Sequence, residues 1–420
     1  MNSIFVQIAS YRDKELLPTL RDLFSKSSGE NHITVGLVWQ KDDTETIEEF
    51  SNDSRVRIIS CDWAESKGLG WARSLTQSLY QDEDFTLQLD SHHRFIPNWD
   101  KLLIECYNSL LGQSSKPFLT SYAAGYDPNN DQHLLQYACK VLPIDFKSSG
   151  TIWFNPVRLD ASETNRPIRA RLVSGHYFFT GGSHCKEYLY DPDLYFAGDE
   201  ICLSARSYTL GYDLYHPNVN FVWHHYGRYD RNKHWGDHTD SVKNKGVVEK
   251  TWNERDDYSK RRIRQLLGEE DYGIDLGKYG LGNVRTLKDY ETYCGFDFKN
   301  RRIHKCAIRG LEPPITFSDP VTYSNEFKKY INVNITSLNK EKFLEYSSRI
   351  SSMSIEFFNL QRNMIHTQHI NPVNFLQQNT FSTIVVSDNE PMRYRITAMD
   401  KMLNTIYSYE NDMRPNIHWN

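Results

Sequence analysis

Residues 85–95, FTLQLDSHHRF, decide the fold and the position of the candidate site. The run 85–89 is short, mostly apolar and partly β-branched, which predicts a buried strand. Five polar residues, DSHHR at 90–94, follow it directly. A carboxylate at the end of a strand, with an imidazole two residues later, can present Asp90 and His92 to a divalent cation. Open α/β sheets bind their ligands at this carboxyl edge.

A simpler interpretation of the same stretch needs no metal. Asp90 and Ser91 are good helix-capping residues, and Asp90 could cap the turn that follows. Two adjacent histidines on a loop, His92 and His93, are often only solvated. The local sequence leaves both interpretations open.

The first 90 residues alternate between strand-like and helix-like patterns. Apolar runs at 4–9, 33–39 and 56–61 predict three more buried strands. Leucines at helical spacing follow the first strand at 16–24, and a second helical pattern covers 69–79. This alternation predicts an α/β fold with a mainly parallel central sheet and right-handed crossovers.

The loops after the first and third strands offer groups for a nucleotide. The glycines at 68 and 70 resemble half of a dinucleotide fingerprint, but the first strand lacks GxGxxG, which argues against a Rossmann dehydrogenase. A nucleotide held between these loops would have Arg12, Asp13 and Arg73 near its base, ribose and phosphates. On local grounds alone, a surface helix charge is the favoured interpretation of Arg73.

The densest group of polar residues lies between positions 180 and 228. It contains TGGSH at 180–184, GDE at 198–200 and paired histidines at 224 and 225, directly after an apolar run. Asp199 and Glu200 could be no more than first-turn acids that match a helix dipole. Together with Asp90 and His92, the group predicts a metal site beside a polar reaction centre.

Composition narrows the classes of function. The 420 residues carry a formal net charge of −5, which argues against nucleic acid as the main partner. The 7 cysteines are scattered and odd in number, so neither a disulfide framework nor a structural zinc module is expected. With no signal-peptide pattern and no apolar run of about 18 residues, we expect a cytoplasmic protein without a transmembrane segment.

Prolines 313 and 314 mark a plausible linker. We therefore predict a domain at 1–312 and a small C-terminal α+β accessory domain at 313–420. The latter has strand-like runs at 330–335 and 382–387 and a helical pattern near 343–364. It could bind an acceptor, form oligomers or dock a partner.

The order of these features resembles a GT-A-fold, retaining N-acetylglucosaminyltransferase family, typified by cytoplasmic protein-hydroxyproline GlcNAc-transferases. Polypeptide GalNAc-transferases share its Asp-x-His motif more distantly. The resemblance covers about residues 4–310. The segments that carry it are IASYRD at 8–13, LQLDSHHRF at 87–95, FTGGS at 179–183, YDPDLYFAGDEICLSARSYTLGYDLYHP at 190–217 and WHHYGR at 223–228.

This resemblance implies a UDP-sugar donor, expected to be UDP-GlcNAc, and Mn²⁺ or Mg²⁺. The metal ligands would be Asp90 and His92 with His224 or His225, of which family placement favours His224. Asp199 or Glu200 would position the acceptor hydroxyl or the donor sugar, and the new linkage would be α. We expect the donor complex to be held by ten residues: Ala9, Ser10, Arg12, Asp13, Gly68, Arg73, Asp90, Ser91, Gly181 and Gly182.

Two rival functions use the same residues. A hydrolase could use the Asp/His group to hold a metal that activates water. A non-catalytic, lectin-like module could use the chain's many aromatic residues, which include 26 Tyr and 9 Trp. The acceptor of a transferase stays open between a protein hydroxyl, a glycan end and a lipid-linked saccharide.

Overall fold

The computed structural model describes residues 1–130, 134, 136–147, 151–227, 231–314, 326–335, 340–378 and 380–413. It divides into two compact units. The larger unit falls within Met1–Ile144, Thr151–Lys299 and Cys306–Thr316, and the C-terminal unit within Asp145–Gly150, Asn300–Lys305 and Phe317–Asn420. None of the helices in these described ranges is long and apolar enough to cross a membrane.

The strands, in chain order, are β1 (Ser3–Tyr11), β2 (His32–Lys41), β3 (Val56–Asp62), β4 (Phe85–Asp90), β5 (His93–Phe95), β6 (Pro117–Thr120), β7 (Ala124–Gly125), β8 (Cys139–Phe146), β9 (Ile152–Arg158), β10 (Ile168–Arg169), β11 (Tyr177–Gly181), β12 (Asp213–His216), β13 (Val222–His224), β14 (Phe296–Asp297), β15 (Arg302–His304), β16 (Phe327–Ile335), β17 (Ser352–Phe358), β18 (Met364–Ile370), β19 (Phe381–Val386), β20 (Arg393–Met399) and β21 (Thr405–Asp412).

The α-helices are α1 (Leu16–Ser25), α2 (Leu69–Gln77), α3 (Trp99–Asn108), α4 (His184–Glu187), α5 (Asp199–Thr209), α6 (His234–Asp237), α7 (Asp240–Lys243), α8 (Trp252–Leu266), α9 (Leu287–Cys294), α10 (Lys305–Ile308), α11 (Glu341–Glu345) and α12 (Pro372–Gln377). Short 3₁₀ helices lie at Glu48–Phe50, Trp63–Glu65, Pro128–Asn130, Ala161–Glu163, Gly277–Tyr279 and Ser347–Arg349.

An eight-stranded sheet organises the larger unit, in the order β10-β12-β6-β11-β4-β1-β2-β3. Strands β3, β2, β1 and β4 run parallel to one another, whereas β11 is antiparallel to both β4 and β6. Strand β12 returns to a parallel pairing with β6. This is the GT-A-like α/β arrangement that the sequence predicted, with one reversed strand in the centre.

The central strands are mostly apolar, and polar side chains within them, such as Gln7 and Gln88, are buried as well. Ile4, Val6 and Ile8 of β1 and Leu87 and Leu89 of β4 are all buried. Burying such a side chain contributes about 1.5–3 kcal/mol relative to leaving it exposed. A parallel sheet buried on both faces favours such mostly apolar strands, and their packing holds the ends of β1 and β4 in fixed positions.

A second, three-stranded sheet, β5-β13-β7, starts just beyond the end of β4. Strand β13 is antiparallel to β5, with His224 opposite His93, and parallel to β7. Because only two residues separate β4 from β5, this pairing brings the end of β13 to the carboxyl edge of the large sheet.

The C-terminal unit is mainly antiparallel β-structure. One sheet has the order β18-β17-β20-β21, and β16 pairs with both β15 and β19. The predicted strands at 330–335 and 382–387 are present, but the predicted helix at 343–364 is wrong. Only Glu341–Glu345 is α-helical there, and Ser352–Phe358 is a strand that alternates between buried and partly exposed positions.

Candidate active site

Three potential metal ligands converge at the carboxyl end of β4. Asp90 is the last residue of β4, His92 lies in the turn to β5, and His224 ends β13. The two histidine Nε2 atoms are 3.0 Å apart. Asp90 Oδ2 lies 3.5 Å from His92 Nε2 and 3.4 Å from His224 Nε2.

These separations fit a divalent cation. Neighbouring ligands of a six-coordinate ion with bonds of about 2.1 Å lie about 3 Å apart. Two imidazole nitrogens 3.0 Å apart must share either the hydrogen of a neutral ring or a metal ion. The mixed nitrogen and oxygen donor set suits Mn²⁺, and it is compatible with other divalent ions.

Asp13 supports one of these ligands from behind. Its Oδ2 accepts a hydrogen bond from His92 Nδ1 at 2.7 Å, and both side chains are buried. Burial would raise the pKa of the Asp13 carboxyl, but the hydrogen bond with His92 and the charge of Arg231 hold it well below its ordinary value. Asp13 is therefore ionised. It lies behind the three candidate metal ligands Asp90, His92 and His224, which we call the metal cluster.

His225 is not one of the converging ligands. Successive residues of an extended chain point to opposite sides, and His225 follows His224 directly. Its backbone N–H donates to the His92 carbonyl at 3.1 Å, while its ring lies 5.7 Å from the ring of Tyr126. At this edge of the sheet, the described side chains grouped closely enough to share one ion are Asp90, His92 and His224, and this geometry favours His224 over His225 as the predicted third ligand.

Arg73 links this cluster to the predicted catalytic acids. It is buried, with 4% of its side chain exposed, and donates to Asp199 at 2.9 Å and to Asp90 at 3.2 Å. It also donates to the Gly175 carbonyl at 2.6 Å and to the Tyr190 hydroxyl at 3.1 Å. The local interpretation of Arg73 as a surface helix charge is therefore wrong.

Asp199 and Glu200 begin α5, directly after Gly198, whose φ of 91° is left-handed. Asp199 is buried against Arg73. Glu200 accepts hydrogen bonds from the Tyr122 hydroxyl at 2.7 Å and from the Gly175 N–H at 2.8 Å. Burial raises the pKa of Glu200 above its ordinary value, and the adjacent Asp199 charge adds to the rise. The two acids thus have different partners.

Gly175 is required between these groups. A β-carbon added to it would lie 3.2 Å from Glu200 Cγ and 3.3 Å from both Asp199 Oδ2 and Arg73 Nη1. Since such contacts are tighter than ordinary packing, a larger residue would require these side chains to shift by a few tenths of an ångström.

A cavity of about 460 Å³ joins the metal cluster to the acids. Eight of the predicted site residues line it: Ala9, Gly68, Arg73, Asp90, Ser91, His92, Asp199 and Glu200. Aromatic side chains form much of the remaining wall, namely Tyr11, Tyr122, Trp153, Phe154, Tyr195, Phe196 and Trp235.

The structure places three predicted donor-site residues of the first loop, Ser10, Arg12 and Asp13, outside this cavity. Ser10 is fully buried. Arg12 forms salt bridges with Asp42 at 2.7 Å and Asp237 at 3.0 Å, and it lines a separate cavity of about 380 Å³. Both carboxylates that pair with Arg12 are therefore side chains of this protein, Asp42 and Asp237.

Gly181 and Gly182 lie at the end of the sheet opposite the metal cluster. The prediction that they help to hold the donor therefore differs from the structure. Strand β11 is antiparallel to β4, so Tyr177 pairs with Leu89 near the site whereas Gly181 pairs with Phe85 at the opposite end. A β-carbon on Gly182 would lie 1.9 Å from the Glu83 carbonyl oxygen. Close backbone packing therefore explains the glycine at 182.

Several cavity residues were missing from the predicted set. His176 packs its ring 4.3 Å from that of His224, and Tyr122 holds Glu200. His234 accepts or donates a 2.9 Å hydrogen bond with the Tyr195 hydroxyl. His176 could have been found from the sequence, because it lies close to the polar TGGSH segment at 180–184. No local sequence feature identified Tyr122 as a site residue.

The solved structures that show some similarity to this chain have low sequence identity with it. The GalNAc-T7 structure with UDP, GalNAc and Mn²⁺ is 17% identical, with a TM-score of 0.41, over 69% of this chain and 54% of that one. S. aureus TarS 1-349 is 13% identical, with a TM-score of 0.33, over 51% and 60%. Its complex with UDP-GlcNAc is 14% identical, with a TM-score of 0.32, over 51% and 58%.

The matches thus span 54% to 60% of the lengths of these solved chains. No curated protein matches the sequence. The profile of one protein family, described as Glycosyltransferase (GlcNAc), matches residues 3–53 and 43–300. The match covers more than half of the chain and includes every residue of the metal cluster and both acids, so this chain belongs to the glycosyltransferase (GlcNAc) family.

Proposed function

We propose that this chain transfers GlcNAc from UDP-GlcNAc to a hydroxyl group on a glycan or protein, with a divalent cation, Mn²⁺ or Mg²⁺, and with retention at the anomeric carbon. The observation that carries the proposal is that Asp90, His92 and His224 converge, and that Asp90 and His92 line the same cavity as Asp199 and Glu200. The cytoplasmic location expected in the sequence analysis belongs to this proposal.

The three converging side chains would hold the cation. When bound, a divalent cation stabilises the negative charge that develops on the departing diphosphate. The donor's nucleotide would occupy the part of the cavity near Ala9 and Gly68, on the side of β1 and α2. This assignment places the anomeric carbon on the side of Asp199 and Glu200.

The partners of the two acids support different roles. Asp199 is neutralised by Arg73, so we assign it to holding Arg73 and the donor sugar in place. The Glu200 carboxylate accepts hydrogen bonds from the Tyr122 hydroxyl and the Gly175 N–H, and we assign it to the acceptor hydroxyl. A hydroxyl held by Glu200 would attack from the side of the leaving diphosphate, which gives an α-linkage without a covalent sugar–enzyme intermediate.

A donor panel tests the proposal. Binding of UDP-GlcNAc, UDP-GalNAc and UDP-glucose would be measured by calorimetry with Mn²⁺, with Mg²⁺ and with EDTA. UDP release would then be followed with glycan and peptide acceptors. We expect metal-dependent binding, tightest for UDP-GlcNAc, and UDP release that rises with acceptor concentration. Binding of no donor in either metal contradicts the proposal, and equal turnover with water alone indicates the hydrolase alternative.

The role of the C-terminal unit stays a prediction. Its predicted boundary at 313 and its use in acceptor binding, oligomerisation or docking rest on the sequence. Removal of residues from the C-terminal unit should leave donor binding in place if that unit serves only the acceptor or a partner.

A further inference from the structure

Asp13 is the point at which three separate donors meet behind the metal cluster. One of its oxygens, Oδ2, accepts from His92 Nδ1 at 2.7 Å and from Ser91 Oγ at 2.8 Å. The same atom accepts from Arg231 Nη1 at 3.1 Å. Only 4% of the Asp13 side chain is exposed, and it does not line the 460 Å³ cavity. Direct contact with a donor substrate is therefore not its role in this geometry.

The bond to His92 decides which ring nitrogen carries the proton. A neutral imidazole has one N–H and one lone pair, and a carboxylate at Nδ1 stabilises the tautomer that donates from Nδ1. The lone pair then lies on Nε2, the atom that faces Asp90 and His224. In the other tautomer, an N–H would point into the ligand cluster and would oppose a cation.

Arg231 connects the same carboxylate to the chain that follows β13. It lies seven positions after His224, and its guanidinium offsets the charge of Asp13. Asp13 therefore joins the β1 loop, the β4–β5 turn and the region after β13, which are the elements around the two histidine ligands.

We propose that Asp13 is a positioning residue for the cation: it acts through His92 by fixing the Nε2 lone pair toward the cluster, and it thereby favours Mn²⁺ over Mg²⁺. Nitrogen donors suit Mn²⁺ better than Mg²⁺, which prefers oxygen and water. Loss of a hydrogen-bonding partner behind a metal-bound histidine typically lowers metal affinity about 10–100-fold. This inference rests on the metal site of the proposed function.

The test measures metal affinity without any donor or acceptor. Free Mn²⁺ is titrated by electron paramagnetic resonance, and Mg²⁺ affinity is obtained by competition. The proteins are wild type, Asp13→Ala, Asp13→Asn and His92→Ala. Lys14→Ala is the matched control, because Lys14 is the next residue and is exposed. Thermal unfolding of the metal-free proteins verifies that each is folded.

We expect Asp13→Ala to lower Mn²⁺ affinity at least tenfold and Mg²⁺ affinity less, while Lys14→Ala leaves both unchanged. Asp13→Asn should give an intermediate loss, since the amide oxygen can accept from Nδ1 but carries no charge. A folded Asp13→Ala protein with wild-type Mn²⁺ affinity overturns the inference. If Asp13→Ala does not fold, wild-type affinity in Asp13→Asn overturns it. Failure of the wild type to bind Mn²⁺, or equal binding by His92→Ala, instead overturns the metal site itself.

Discussion

The Arg73 guanidinium donates to the Asp199 carboxylate at 2.9 Å, and both side chains are at least 93% buried within the larger unit. Its second nitrogen reaches Asp90 at 3.2 Å. One cation thus neutralises a predicted metal ligand and a predicted catalytic acid. Helix α2, which carries Arg73, thereby fixes the distance between the two halves of the reaction centre.

Arg73→Met should destabilise the protein, because it leaves the buried Asp199 without a counter-charge. Breaking a buried ion pair from one side typically costs about 3–5 kcal/mol. The double variant Arg73→Met/Asp199→Asn should regain part of that stability while transfer stays lost. Chemical denaturation and UDP release measure the two effects.

Arg57→Met is the control for the comparison of Arg73→Met with the double variant. Arg57 pairs with Glu83 at 2.7 Å, with 25% of the Arg57 side chain exposed, and neither residue lines the site cavity. We expect a smaller loss of stability and wild-type turnover. If Asp199→Asn restores no stability to Arg73→Met, the pair is not the dominant partner of Arg73.

The adjacent histidines give a matched test of the metal site. His224→Ala removes a converging Nε2 atom, so Mn²⁺ binding and transfer should fall at least about 100-fold. His225→Ala removes a ring that faces Tyr126, and both quantities should stay within a few-fold of wild type. Mn²⁺ titration and UDP release on both variants provide the comparison. The reverse order would make His225 the ligand.

The contacts of Glu200 predict a pH dependence that can be shifted. Burial raises the pKa of Glu200 toward neutrality, and the Tyr122 hydroxyl opposes the rise by donating to the carboxylate. If the carboxylate form positions the acceptor, kcat/KM should fall as the pH falls through this raised pKa. Tyr122→Phe should move that fall to higher pH, because it removes a donor to the charged form.

Glu200→Gln completes this test. The amide keeps the shape of the side chain, so UDP-GlcNAc affinity should stay near wild type while turnover falls about 100-fold or more. The acid limb of the pH profile should also disappear. A normal turnover in Glu200→Gln would assign Glu200 a structural role at the start of α5.

The parallel half of the sheet was predictable because its signals are local. Strands β1 to β4 are mostly apolar runs, and the amphipathic α1 and α2 lie between them. The end of β4 also placed Asp90 and His92 at the carboxyl edge, since parallel strands deliver their ends to one side. Strand direction is set by pairing rather than by local sequence. The run at 177–181 therefore did not show that β11 is reversed, and Gly181 and Gly182 were misplaced.

The environment of Arg73 was hidden for a similar reason. Its partners Asp90 and Asp199 lie 17 and 126 positions away along the chain. The helical pattern alone therefore predicted that the Arg73 side chain is exposed to solvent. In the C-terminal unit, an apolar residue at every second position, Met353, Ile355 and Phe357, marks a strand. The helix predicted at 343–364 did not take account of this alternation of apolar and polar residues.

His216 gives the last prediction, which concerns acid stability. The ring is buried, its Nδ1 donates to the Thr120 carbonyl at 2.8 Å, and its Nε2 accepts from the Val141 N–H at 3.2 Å. This pattern fits only the neutral ring, because a proton on Nε2 would face another N–H. Burial lowers the pKa of His216 from 6.5 to about 4, and the charges of Lys140 and Arg171 add to the effect.

A depressed histidine pKa means that the unfolded chain binds the proton more readily than the folded one. The stability that His216 contributes is therefore present above pH 6.5 and is lost as the pH falls toward 4, by up to about 3 kcal/mol. His216→Asn should unfold more easily at pH 8, yet lose less stability between pH 7 and pH 5 than wild type. His32→Asn, at an exposed position, should retain the wild-type pH dependence. Chemical denaturation at both pH values measures the difference, and an unchanged pH dependence in His216→Asn would place the acid-sensitive group elsewhere in the core.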